Sequence, residues 1–377
     1  MRGKHSGDVP GSRNGHLCSL LQSWQTDLAG PKGSVWQMAA FHIRRSKFLT
    51  GCTLLWLLRS FVDLLLQLEM ASRHTLRHIA GVYGAMWGLL FFVLHDAEVE
   101  QCLGLLGPVA TRLELAGSPA TKAHLKKTAQ RLQRIAWFHQ AFRLLIYPST
   151  LLTLVMGYSH SAVFKHLGEC GAAYTFVLCL LEVLGMIGGI HAVYWMLPMT
   201  YAMFGSCAAL FTAIGTECCQ VRGRESLRTL AVLHGDVVRG ARVARTAVEG
   251  YIIHILACSM MLPLIASVEV ILKPQGADAF TFSTAILIIV IVIPQCLTGQ
   301  ALEDASGNLG TRLYEGPWLE EDPPTRRMRS IMQECTKRTA CIHVRAFGSL
   351  NARTCIQTLR QWFSFVNVAL KIMQREK

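Results

Sequence analysis

Thr354, Gln357, Gln361, Ser364, Asn367 and Lys371 recur at three- and four-residue spacing through ARTCIQTLRQWFSFVNVALKIM. That spacing puts amides and hydroxyls on one face of a helix. Leu359, Trp362, Phe363, Val366, Leu370 and Met373 occupy much of the remaining surface. Inside a bilayer such polar groups are costly unless they face protein or water. One stripe cannot enclose a pore, but several copies around a symmetry axis can, with the stripes turned inward. The other reading open to the stripe is hydrogen bonding to neighbouring helices within one subunit. Lys371 is an awkward residue at the mouth of a cation pore, and its stem can snorkel sideways to headgroups.

The remaining intramembrane charges are scattered. Arg59 and Asp63 are four residues apart, so they share a helical face and can pair. Arg143, Glu182 and Glu269 have no obvious local partners and are placed in the bundle interior. His191 and His254 are isolated, so no metal site is expected. The thirteen cysteines contain no CxxC pair, which argues against a zinc site or a disulfide framework. No P-loop, HExxH or GxSxG occurs. The expectation is a protein that is not an enzyme and carries no cofactor.

The elements that position these residues are membrane spans. Of 377 residues, 51% are hydrophobic and only 16% charged, where a soluble domain would carry about a quarter. Mean hydropathy is +0.33, and several windows can cross roughly 30 Å of hydrocarbon. The chain is read as an all-α membrane protein with seven spans near 48–68, 76–96, 135–157, 172–197, 251–272, 279–302 and 355–373. The apolar stretch 201–215 lets the fourth run longer. The first apolar window opens only near Phe48, too late for a secretory signal, so the first span is expected to be a signal-anchor.

Basic residues set the orientation. Connection 97–134 holds Lys122, Lys126, Lys127, Arg131 and Arg134, and 217–249 holds six arginines from Arg222 to Arg245. Connection 303–354 adds Arg326, Arg327, Arg329, Lys337 and Arg338. The positive-inside rule then places the N-terminus and these loops in the cytoplasm and the C-terminus outside, the reverse of a G-protein-coupled receptor. The net charge of +13 fits basic loops against anionic lipid rather than nucleic acid. Segment 1–47 is a cytoplasmic N-terminal segment, 48–373 the transmembrane domain and 374–377 an extracellular tail. Helices 4–7 are expected to extend into the cytoplasm as an anchor region, 217–249 and 303–354.

In that region Leu227, Leu230, His234, Val237, Val238, Ala241 and Val248 fall near one face, and Leu302, Leu309 and Leu313 continue a helical pattern past the sixth span. Gly316-Pro317 stops it, between Tyr314 and Trp318. These stripes need partners, either one another or another subunit. In the outer half, Ile79, Tyr83, Trp87, Tyr147, Tyr174, Phe176, Met186, Phe280 and Phe282 could line a pocket for an apolar ligand, although such residues also simply pack.

The C-terminal third resembles the insect odorant-receptor family, the seven-helix chemosensory receptors related to insect gustatory receptors. The resemblance rests on Gly299-Gln300, Leu302, Ser306, Tyr314 and Trp318 after the sixth span, then the basic helix RRMRSIMQEC, AFGSLNARTCIQTL and Phe363-Ser364. Upstream, LAVLHGDVVRGARVARTAVEG, with His234, looks like the helix that precedes the family's fifth span. The resemblance implies a tetrameric, ligand-gated, non-selective cation channel. In it Gln357, Gln361, Ser364, Asn367 and Lys371 line the pore, while His234, Leu302, Leu309, Leu313, Tyr314 and Trp318 serve subunit assembly. A small volatile ligand would bind in the outer half. The chain lacks the long cytoplasmic insertion of the shared co-receptor, Orco, so it looks like an odour-tuning subunit that assembles with Orco in the dendritic plasma membrane of an olfactory neuron. The alternatives are a gustatory receptor, disfavoured because only Gln374 of that group's Thr-Tyr…Gln motif is present, and a multi-pass transporter or membrane enzyme.

Overall fold

The computed structural model describes residues 16–29, 41–66, 73–158, 161–272, 284, 286–344 and 348–375. Its helices are α1 (Leu17–Ala29), α2 (Lys47–Leu66), α3 (Arg73–Ala116), α4 (Pro119–Tyr158), α5 (Ala162–Cys170), α6 (Ala172–Gln220) and α7 (Arg224–Leu272). A π-helical turn, Ile288–Val292, runs directly into α8 (Ile293–Tyr314), and α9 (Pro323–Thr336) follows. A two-stranded antiparallel hairpin, β1 (His343–Val344) and β2 (Gly348–Ser349), leads into α10 (Ala352–Arg375).

The chain folds around α6, which packs against α2, α3, α4, α5, α7 and α8. Its sequence is apolar on all sides, and such a helix must be buried. From Met186 to Ile214 most of it is, including Tyr201, Phe204 and Phe211. Small residues let the neighbours approach. A methyl group on Gly189 would collide with Ala85 of α3, and one on Gly185 would press the backbone of Cys52 in α2. This close approach of helix backbones is how membrane bundles gain packing energy without a hydrophobic driving force.

Five described helices are long and apolar enough to cross a membrane: Lys47–Leu66, Ile79–Ala116, Ala172–Gln220, Arg224–Val268 and Ile288–Tyr314. The segments expected as spans 135–157 and 355–373 are helical but fall short of that apolarity, the first because it carries His139, Gln140 and Arg143, the second because of its polar stripe.

The structure corrects the expected connections. Segment 97–134 is not a loop: α3 continues to Ala116 and α4 begins at Pro119. Glu217 at the end of α6 holds the tight turn between them, accepting from the Ser118 amide at 2.8 Å and the Thr121 hydroxyl at 2.5 Å. The helices expected as spans 2 and 3 are therefore prolonged, as are those expected as spans 4 to 6, whereas α10 begins only three residues before the expected seventh span. The N-terminal segment contains α1, whose Leu17, Leu21, Trp24 and Leu28 are buried at helical spacing. Glu114 of α3 caps it, accepting from the amide of Leu17 at 2.6 Å.

Candidate ligand cavity and polar helix face

A cavity of about 100 Å³ lies where α2, α3, α4, α6, α7 and the start of the sixth span converge. Gly81, Gly84 and Ala85 of α3 leave the space open. Ile146 and Thr150, Ile190, Val193 and Tyr194, and Ile255, Cys258, Ser259 and Leu262 form its sides. Trp56, Thr284, Leu287 and Ile291 complete the wall, and no charged residue lines it. The hydroxyls of Thr150 and Ser259 donate to their own helices, to the carbonyls of Ile146 at 2.9 Å and Ile255 at 2.7 Å. Drug-sized ligands fill at least ~300 Å³, so a ligand approaching that size enters only if side chains or helices yield.

None of the described aromatic and apolar residues expected around a ligand lines this cavity. Tyr83 and Trp87 occupy the adjacent face of α3, against α7. The Tyr83 hydroxyl is 2.7 Å from His254 Nδ1, and the Trp87 ring stacks on the His254 ring at 3.8 Å. Ile79 is half-buried against the core. The Tyr147 hydroxyl donates to the carbonyl of Ile187 at 3.3 Å, and Met186 is buried. Tyr174 and Phe176 are exposed on the outside of the chain. Phe280 and Phe282 lie outside the described residues. A void is left where side chains are small, as at Gly81, Gly84 and Ala85 in GVYGA.

The buried charges find partners far away in sequence. Arg59 does pair with Asp63, at 2.5 Å, but its guanidinium also grips both oxygens of Glu182, at 2.7 and 3.1 Å. Asp63 in turn accepts from the Ser161 hydroxyl and the Val163 amide at the start of α5. One ion-pair network thus ties α2 and α6 to the short helix between spans 3 and 4. Arg143 Nη1 donates to His191 Nδ1 at 2.6 Å, which requires the His191 proton on Nε2. The side chain of Glu269 lies outside the described residues.

On α10 the face carrying Gln357, Gln361, Ser364, Asn367 and Lys371 is exposed. Cys355, Leu359 and Trp362, on the opposite side, rest on the core. Among the described residues no helix of the same chain covers that stripe.

A model of the 7tm odorant receptor family matches residues 75–363. The chain belongs to that family. No curated protein matches it in sequence. Among solved structures it is similar to the insect olfactory receptor OR5 from Machilis hrabei in complex with eugenol, with a TM-score of 0.71 and 13% identity over 94% of this chain and 98% of that one. The structure described as that receptor alone gives a TM-score of 0.70 and 14% identity, covering 94% and 97%. At such identity the likeness speaks for the fold.

In this odorant receptor the stretch after the sixth span docks onto the entry to α10. A methyl group on Gly299 would strike the carbonyl of Leu350. Gln300 accepts from the Ala352 amide and Glu303 from the Asn351 side chain, both at 3.2 Å, while Asn351 caps α10 through the Thr354 amide at 3.0 Å. Ser306 accepts from the Ala340 amide at 2.9 Å. Leu302, Leu309 and Leu313 are buried inside the chain, so the packing that they needed is intramolecular. Tyr314 remains exposed, and Trp318 is partly so. His234 is buried beside Phe211, and burial pushes its pKa down.

Sequence reasoning missed Arg329. It is buried, binds the Glu321 carboxylate in a bidentate pair, and donates to the carbonyls of Cys218 at 2.9 Å and Leu313 at 3.3 Å. It thereby satisfies the carbonyl ends of α6 and α8 together. Gly316 has no side chain because Arg329 fills that space.

Proposed function

We propose that this odorant receptor is the odour-tuning subunit of a heteromeric, ligand-gated, non-selective cation channel. The observation that carries the reading is the polar face of α10, which points away from its own chain. Four copies of such a helix about an axis would bring Gln357, Gln361, Ser364 and Asn367 to a water-filled path while the packed face stays on the subunit. The other members of the tetramer would include the co-receptor Orco. The N-terminus and the prolonged helix ends would lie in the cytoplasm, and the protein in the dendritic plasma membrane of an olfactory neuron.

The ligand would be a small, mostly apolar volatile, because the cavity is uncharged and closely lined. The related receptor's complex with eugenol supports that class. An odorant that binds better to the open arrangement shifts the closed–open equilibrium by its differential affinity. The polar contacts of Gln300, Glu303 and Asn351 would pass movement of the sixth span to α10. The test is current recording from cells expressing the chain with and without Orco across an odorant panel. Odour-evoked current that needs both subunits supports the tuning role. Robust responses of the chain alone to sugars or bitter compounds would move it to the gustatory alternative.

A further inference from the structure

A second, larger cavity of about 600 Å³ opens between α6, α7, α8, the end of α9 and the segment that follows it. Its floor is apolar, from Phe211, Val238, Ala241 and Leu302. Its rim is cationic: Arg242 and Arg245 come from α7, and Lys337 and Arg338 from the segment after α9. Glu334 is the one carboxylate on the wall, and it is engaged by Lys337 at 2.6 Å. Arg245 shares Glu249 at 3.3 Å. Among the described residues, neither Arg242 nor Arg338 has an ion-pair partner. Four cations around a pocket with one carboxylate form a site waiting for negative charge.

The size of the site limits what can enter. Its volume lies in the range of small-ligand pockets, whereas two turns of a helix about 10 Å across occupy roughly 850 Å³. The position narrows it further. Arg245 and Arg242 stand six and nine residues before Tyr251, where the fifth span is expected to begin, about 9 and 14 Å along the helix. That lies just beyond the headgroup layer of roughly 5–8 Å on each side of the hydrocarbon, within reach of ring phosphates that project from a lipid headgroup, and basic pockets between helices on this side of a membrane bind such groups. We propose that the pocket binds a polyphosphorylated ring, an inositol phosphate either free or as a phosphoinositide headgroup, with Arg242 and Arg338 as its main phosphate ligands. The lipid source rests on the cytoplasmic orientation adopted above. Because Lys337–Cys341 lead into the hairpin and α10, an occupant would brace α7 and α8 against the segment that enters the pore-facing helix.

The test uses the full chain. Calorimetric titration with soluble inositol trisphosphate reads the free ring. Native mass spectrometry in phosphatidylcholine nanodiscs, with phosphatidylinositol bisphosphate or charge-matched phosphatidylserine, reads the lipid. Saturable binding of the ring in either form supports the site, and the arm that binds names the source. The double variant R242Q/R338Q is expected to weaken binding by at least about tenfold, while R242K/R338K retains most of it. R224Q/R228Q, at exposed positions at the start of α7, leaves it unchanged. Thermal melts of each variant control for folding. The proposal is overturned if the wild type binds neither form, or if phosphatidylserine binds equally well and the double variant changes nothing. It is also overturned if that variant alters subunit association alone, which would make the cavity a subunit contact. Tagging of the two termini in unpermeabilised cells separately tests the orientation.

Discussion

Arg59 Nε lies 2.7 Å from an oxygen of Glu182, a residue 123 positions further along the chain. Together with Asp63 the pair is almost wholly enclosed. Removing the cation leaves two buried carboxylates uncompensated, a loss of about 3–5 kcal/mol for a broken buried pair. Arg59→Ala should therefore sharply lower the thermal stability and surface expression of the receptor. Glu182→Gln, which keeps an acceptor and leaves Asp63 for the arginine, should cost much less. Equal losses in the two variants would show that the network is not organised around Arg59.

The Arg329–Glu321 pair makes a parallel prediction beneath the bundle. Arg329→Ala should also cost about 3–5 kcal/mol, because it strands Glu321 and two helix-end carbonyls. Arg329→Lys should rescue little, since an ammonium cannot reproduce the planar fork that reaches the carboxylate and both carbonyls. Thermal unfolding of the purified full chain reads both, and a lysine variant as stable as wild type would refute the geometry.

His234 gives a pH dependence. Burial lowers its pKa in the folded chain, so below the unfolded value, about 6.5, the unfolded state binds the extra proton. The stability contributed by the neutral ring is complete above about pH 6.5 and is lost as pH falls from there towards the lower folded pKa. The difference in melting temperature between wild type and His234→Gln should thus shift against the wild type between pH 7.5 and 5.5 (about the window set by a histidine). A difference that is constant across this range would mean that His234 does not titrate with unfolding.

The proposed odour cavity makes a prediction about tuning. Ile255→Ala should enlarge it by about three carbons' worth of space and move the best odorants of a homologous series towards longer chains. Leu287→Phe should fill it and raise half-maximal concentrations for every ligand, with surface expression retained. An unchanged rank order in both variants would place the odour site elsewhere.

The proposed pore role of the α10 stripe is tested by permeation. Gln361→Ala and Ser364→Ala should alter ion selectivity or blocker sensitivity while leaving the odorant preference intact. If permeation, gating and block are all untouched, the stripe is not facing the pore.

Much of the architecture was legible because hydropathy and helical periodicity are local properties. The apolar windows, the amphipathic face of α10 and the leucine pattern after the sixth span follow from spacing alone, and the Arg59–Asp63 contact follows from one turn of helix. The prolonged α3 and α4 were missed because Lys and Arg read as loop, although both residues are good helix formers. The partners of Glu182 and Arg143 were illegible for a different reason. They lie on other helices, and nothing in a single sequence says which faces meet.

The cavity shows the same division. Spacing and hydropathy already imply that the chain builds long apolar helices, followed by a last helix that carries a continuous polar face. Burial of apolar length and the cost of stranded polar groups leave few other outcomes. Where space remains depends on how the helices pack. Gly189 against Ala85 draws helices together, Gly81 and Gly84 leave room between them, and Arg329 joins three chain segments at a single guanidinium. Those arrangements depend on crossing points between distant segments, and a crossing point is a property of the packed bundle rather than of any stretch within it.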